Sequence, residues 1–264
     1  MHRRSLLSLS MVGISALAFP LTALSQVSDI NDAINKAGRQ RMLSQRMAKS
    51  YMALGQKVHG DNASKILSAS MALFARQLAE LKAFAPTPEL KGTYGALESA
   101  WSDYQGALVG NTASKAGAEQ VLSLSGKVLQ LANQGTVQLE GVSGKSVGRL
   151  VNIAGRQRML SQRMAAFYLS ASWGVQSTTS AAEVSKAKDE FLKAHEVLKA
   201  APETSASIKA ELQLAETQFT FFDTALRSLR PGVGDIEAQN NVFTTSERIL
   251  QVMDGVTGMY SKLT

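Results

Sequence analysis

The chain contains no cysteine, which excludes disulfides, a thiolate nucleophile and cysteine-bound zinc. Its three histidines, His2, His59 and His195, are scattered, so no histidine-based metal site is expected, and no cofactor. Aromatic residues make up only 6%, a share that leans towards helix rather than strand. No segment beyond the first 25 residues is apolar enough to span a bilayer. The net charge of +7 is diffuse, with no Lys/Arg run and no aromatic interleaving, which argues against nucleic acid as a partner. No glycine loop suited to cradling phosphates is present. Carboxylates stand singly along the chain, and neither Ser44 nor Ser161 has a histidine or lysine within its motif to act as base. These absences point away from an enzyme.

What the chain does have is a stretch that it carries twice. The twelve residues Ala37 to Ala48, A-G-R-Q-R-M-L-S-Q-R-M-A, recur without a change at Ala154 to Ala165. An identity of that length is an internal repeat and governs the rest of the reading. On a helix, at about 100° per residue, Ala37, Gly38, Arg41, Gln45 and Ala48 share one sector. Leu43, Met47 and Leu54 lie opposite, facing an ordinary core. Arg39 and Arg46 fall between the two, where a solvated face is one reading. In the second copy Arg158 stands likewise among Ala154, Gly155, Gln162 and Ala165. A stripe of small residues lets another helix come close. A guanidinium on such a stripe cannot shed its charge, so it needs an anion or a ring of acceptors. The motif holds no Asp or Glu, which leaves a carboxylate from another helix or a bound anion.

The motif resembles the signature of the N-terminal sensor domain of the type IV pilus chemoreceptor (PilJ-type) family. More loosely, it is similar to the periplasmic input domain of nitrate/nitrite sensor kinases. The resemblance implies a four-helix bundle with the motif on its first helix. In the nitrate sensors, the arginine that precedes a methionine binds the anion where two first helices meet. The matching positions are Arg41 before Met42 and Arg158 before Met159, with Gly38 and Gly155 as the small residues. Gln45 and Gln162 complete the candidate ligand set, and Arg39, Arg46, Arg156 and Arg163 are secondary candidates. The chain departs from the nitrate sensors at Arg39, Gln40, Leu43 and Gln45, and at the same places in the second copy.

Taken in order, residues 1–25 read as a secretory signal peptide. Arg3 and Arg4 precede an apolar run from Leu6 to Phe19, and Ala23-Leu24-Ser25 offers a cleavage site. Export to the periplasm is therefore expected, by the general secretory or the twin-arginine route. Loss of Arg3 and Arg4 would lower the charge from +7 to about +5, still mildly favourable for an anion.

Residues 26–141 and 142–264 form the two repeats. The fold expected is all-α, two tandem antiparallel four-helix bundles. Gly55 to Asn62 reads as a turn. A second helix follows from about Ala63 to Phe84, with a stripe at Leu67, Met71, Phe74, Leu78 and Leu81. Thr87 caps a third helix that starts at Pro88 and carries Leu90, Tyr94, Leu97, Trp101, Tyr104 and Leu108. A fourth carries Val121, Leu124, Val128 and Leu131. Gly135 to Gly148 is either a linker or a weakened length of one long helix. The second copy repeats the plan, with helices at Ala181 to Ala200, around Ile208 to Leu226, and from Val242. Gln120 to Gln130 echoes Asn241 to Gln251, 121 residues on.

The functional expectation is a sensory protein for a small anion, nitrate or nitrite by resemblance, that acts through a membrane-bound signalling or pilus partner. The alternative is a helical adaptor in which the arginines make fixed salt bridges. Two placements of the repeats remain open. The motif helices either pack side by side in one molecule, as a monomeric pseudo-dimer with one anion per chain, or sit in separate bundles strung end to end, with up to two independent sites per chain or binding only in a homodimer.

Overall fold

A computed structural model describes residues 26–110 and 112–263. The signal peptide expected at residues 1–25 lies outside them. The described residues form eight helices: α1 (Ile30–Gly55), α2 (Gly60–Phe84), α3 (Pro88–Val109), α4 (Lys115–Ser143), α5 (Ser146–Trp173), α6 (Ser177–Ala200), α7 (Ala206–Leu226) and α8 (Ile236–Ser261). The fold is all-α, as the periodicity indicated, and no strand occurs among the described residues.

Several helix starts follow from a single side chain. Asp29, Thr87, Ser114, Ser205 and Asp235 each accept from a backbone N–H in the first turn of the helix they precede, satisfying donors that the helix cannot pair itself. Asp235 sets α8 going at Ile236, six residues before the Val242 expected from its apolar stripe. The second helix of each repeat also begins earlier than expected. His59 and Gln176, equivalent positions in the repeats, adopt φ of 45° and 47°. That conformation reverses the chain within a few residues, so the turn is tighter than its composition implied.

Within each repeat the four helices pack in a ring: first on second and fourth, third on second and fourth. Aromatic residues fill the two cores alike. Phe74 lies 4.4 Å from Trp101, centroid to centroid, and Phe191 lies 4.6 Å from Phe219. The row Tyr94, Trp101 and Tyr104 is buried.

Gly135 to Gly148 is neither a linker nor one long helix. Helix α4 runs through Gly135 and Gly141 and stops at Ser143. Gly144 has φ of +61°, a left-handed cap that an L side chain rarely adopts, and α5 begins at Ser146. The division between repeats placed at 141/142 falls inside the last turn of α4, and the chain turns at Gly144-Lys145. So short a connection folds α5 back and lays it against α1. Of the two placements left open by the sequence, the side-by-side one is realised: α1 and α5 are packed against each other along their length. Both are buried on nearly every face, polar residues included.

A candidate anion site at the seam of the repeated helices

Helices α1 and α5 run in the same direction. Successive contacts along the seam are Ile34 with Gly148, Gly38 with Gly155, Gln45 with Arg163 and Gln56 with Leu169. At the centre the two motif glycines face each other. A Cβ on Gly38 would stand 3.8 Å from the Cα of Gly155, 3.3 Å from Nη2 of Arg41 and 3.5 Å from Nη2 of Arg158. The two guanidiniums therefore lie together over the glycine contact, their Nη2 atoms less than about 7 Å apart. Both arginines are 0% exposed.

Their hydrogen bonds cross the seam reciprocally. Arg41 Nη2 donates to the carbonyl of Asn152 on α5, and Arg158 Nη2 to the carbonyl of Asn35 on α1, both at 3.1 Å. Asn35 and Asn152 are equivalent residues of the repeats. The Nη1 atoms reach the fourth helices and there the symmetry breaks. Arg41 Nη1 donates to Oδ1 of Asn133 on α4 at 2.9 Å. Arg158 Nη1 donates to Oδ1 of Asp254 on α8. These partners are again equivalent, 121 residues apart, but one is an amide and the other a carboxylate. The Nε atoms of both arginines are buried without a partner.

The electrostatics follow the partners. Burial, with Arg156 and Arg158 close by, pulls Arg41 down to about 9. A guanidinium does not in practice release its proton, so the shift marks a charge held out of water, against which Glu140 and Glu190 pull only in part. Burial also lowers Arg158, to about 10, against the opposing pull of Asp254. Burial pushes the Asp254 carboxyl up, but Arg158 and Arg39 outweigh it and hold it below its ordinary value.

The secondary arginines are not a solvated face. Arg39 Nη2 donates to Asp254 at 2.8 Å, and Arg156 Nη1 donates to Asn133 at 3.2 Å while its Nε pairs with Glu190. On one helix Arg39 and Arg41 point apart; across the seam Arg39 joins Arg158, and Arg156 joins Arg41. Arg46 and the buried Lys49 share Glu247 of α8. Arg163 pairs with Glu183 at 2.6 Å, donates to Oε1 of Gln45 at 3.2 Å and lies over the Phe167 ring. The amides of Gln45 and Gln162 donate to the carbonyls of Ser125 and Ser246 on the fourth helices, the Oε1 of Gln162 is buried without a partner, and among the described residues no hydrogen bond joins either glutamine to Arg41 or Arg158. Two grooves flank the seam at equivalent places. One, of about 620 Å³, is lined by Arg39, Arg46, Arg76, Arg248, Glu247 and Asp254; the other, of about 150 Å³, by Arg156, Arg163, Lys186, Glu183 and Glu190.

Glu247 gives this network a pH signature. Burial raises its carboxyl, but Lys49 and Arg46 more than offset that and bring it from 4.5 to about 2. A carboxylate depressed in the folded state adds stability above its unfolded value and loses it as pH falls through the folded one. Stability is thus expected to drop between about pH 4.5 and pH 2, with about 2 kcal/mol of the drop due to Glu247 after allowance for solvent screening. Thermal melts of wild type and Glu247→Gln check this: the variant should show a shallower acid limb, and parallel limbs would exclude the assignment.

Asn133, Asp254, Glu247 and Lys49 were not singled out by the motif. A signal for the first two was available, because the register that aligns Gln130 with Gln251 also aligns Asn133 with Asp254.

Among the described residues no group of His, Cys, Asp or Glu is arranged to hold a metal ion, and no helix is long and apolar enough to cross a membrane. Comparison with curated proteins and with solved structures found no match. A family model does match, described as the type IV pili methyl-accepting chemotaxis transducer N-terminal domain, at residues 22–133 and again at 143–252. The two matches fall one on each helical repeat and together span most of the sequence, which points to a sensory role connected with chemotaxis transducers and pili. The chain belongs to the PilJ family, in two tandem copies.

Proposed function

We propose that this chain is an exported sensory protein that binds a small anion at the seam between α1 and α5 and passes the state of that seam to a membrane-bound chemoreceptor or pilus partner. The observation that carries this is the meeting of two fully buried guanidiniums over the Gly38–Gly155 contact. Two such charges repel in a poorly solvated site, and an anion between or beside them relieves the repulsion. Nitrate and nitrite are the ligands of choice from the looser resemblance of Arg41-Met42 and Arg158-Met159 to the motif of nitrate sensors. Because α1 and α5 sit in one chain, the site needs no second subunit. Binding would tighten or shift the packing of two helices that run the length of the molecule, a geometry suited to relaying a signal to a partner at one end.

A helical adaptor without a small ligand is the alternative, and the Arg158–Asp254 pair favours it, since that charge is met internally. A thermal-shift screen of the full chain against nitrate, nitrite, sulfate and chloride separates the two. A ligand at about a hundred times its Kd adds about 2.7 kcal/mol, which is about 5–10 °C for a chain of this size. Arg41→Ala and Arg158→Ala should each reduce the shift while helix content by circular dichroism stays unchanged. Absence of a shift with every anion would favour the adaptor.

A further inference from the structure

The seam is symmetric in its backbone and asymmetric in its charge. Four arginines stand at the centre of the seam, Arg39, Arg41, Arg156 and Arg158, near the carboxylates of Asp254, Glu190 and Glu140. Asp254 takes Arg158 and Arg39, Glu190 takes Arg156, and Glu140 bonds the amide of Asn152. Among the described residues Arg41 has no ion pair. Its acceptors are the neutral Asn133 side chain and the Asn152 carbonyl, and its Nε is unpartnered inside the protein. Arg41 is thus the one of the four arginines with no carboxylate in hydrogen-bond reach, and Glu190 and Glu140 act on it only from a distance.

We infer that the anion occupies one half of the seam only: Asn133, Arg41 and Arg156 hold a single small monovalent anion, while Asp254 is a built-in counter-charge that fills the equivalent place in the other half. The inference rests on the anion-binding reading above and adds to it the number of ligands, their side and the residue that decides it. The geometry allows it. Asn133 Oδ1 already accepts from both Arg41 Nη1 and Arg156 Nη1, so an anion oxygen there would meet the same two donors, and the displaced amide could turn its own NH₂ to the ligand. Arg156 and Glu190 are each about one-third exposed, at 37% and 34%, which gives a small ion a way in from the α4–α5–α6 groove. A planar or bent oxyanion such as nitrate or nitrite matches the fork of two guanidiniums. A dianion would be repelled by Glu190, which already pairs with Arg156.

Calorimetric titration of the purified full chain with sodium nitrate and sodium nitrite, in a buffer otherwise poor in small anions, tests this. The wild type should bind one ion per chain. Asn133→Asp places in the first half the carboxylate that the second half already has; it should bind at least tenfold more weakly and melt higher than the wild type in anion-free buffer. Asp254→Asn should gain a second binding event. Two equivalent sites in the wild type, or an Asn133→Asp variant that binds within twofold of it, would overturn the one-sided site while leaving anion binding intact. A wild type that neither binds nor is stabilised by either anion would overturn the anion reading and this inference with it.

Discussion

Gly38→Leu is expected to destabilise the protein by about 4 kcal/mol or more, although leucine is by far the better helix former. Two costs add up. A side chain pushed into a full interior costs about 1–3 kcal/mol, and here a Cβ alone would already stand 3.3 Å from one guanidinium and 3.5 Å from the other. Both arginines must then move, giving up charged hydrogen bonds of about 1.5–3 kcal/mol each to the carbonyls of Asn152 and Asn35. The gain in helix propensity, about 1 kcal/mol, does not compensate. Gly95→Leu is the control: it lies on an exposed face of α3 with nothing within 4 Å of its Cβ position, and should leave stability unchanged or raise it slightly. Urea unfolding of both variants decides the matter. A Gly38→Leu protein as stable as the wild type would mean that the α1–α5 contact is not close-packed around the arginines.

Asp254→Asn should cost about 3 kcal/mol at low ionic strength. Removing one member of a buried ion pair strands the other, and typical losses are about 3–5 kcal/mol. The lower end applies because the Asp254 side chain is 43% exposed, so water can partly take its place beside Arg158 and Arg39. The loss should shrink as salt rises, since screening weakens the repulsion left behind. Arg39→Ala should cost much less, because Arg39 is itself partly exposed and its removal leaves Asp254 still paired with Arg158. Chemical denaturation at two salt concentrations checks the order. A loss below about 1 kcal/mol for Asp254→Asn would show that the Arg158 charge is met by the Asn35 carbonyl without help from α8.

Much of this architecture was legible in the chain. The repeat at Ala37 to Ala48 and Ala154 to Ala165 is identity in the sequence itself. The helices follow from apolar residues recurring every three or four positions, and Thr87-Pro88 marks a helix start through local chemistry. Placing Gly38 and Arg41 on one small-residue face needs only the 3.6-residue turn. These are properties of neighbours along the chain, and neighbours along the chain are what a sequence displays.

The charge pattern of the seam was decided by the tertiary structure alone. The side-chain partners of the central arginines come from 92 and 96 residues away, on α4 and α8. Which residues of those helices face the motif depends on how four helices close into a ring, and no local periodicity encodes that. The partners of Arg39 and Arg46 were hidden for the same reason: a helical wheel shows where a side chain leaves its own helix, while Asp254 and Glu247 of α8 determine where it ends. The meeting of α1 with α5 hung on the path of the chain at Gly144. A positive φ there turns the second repeat back onto the first, and that one conformation set two like charges side by side in a place that water does not reach.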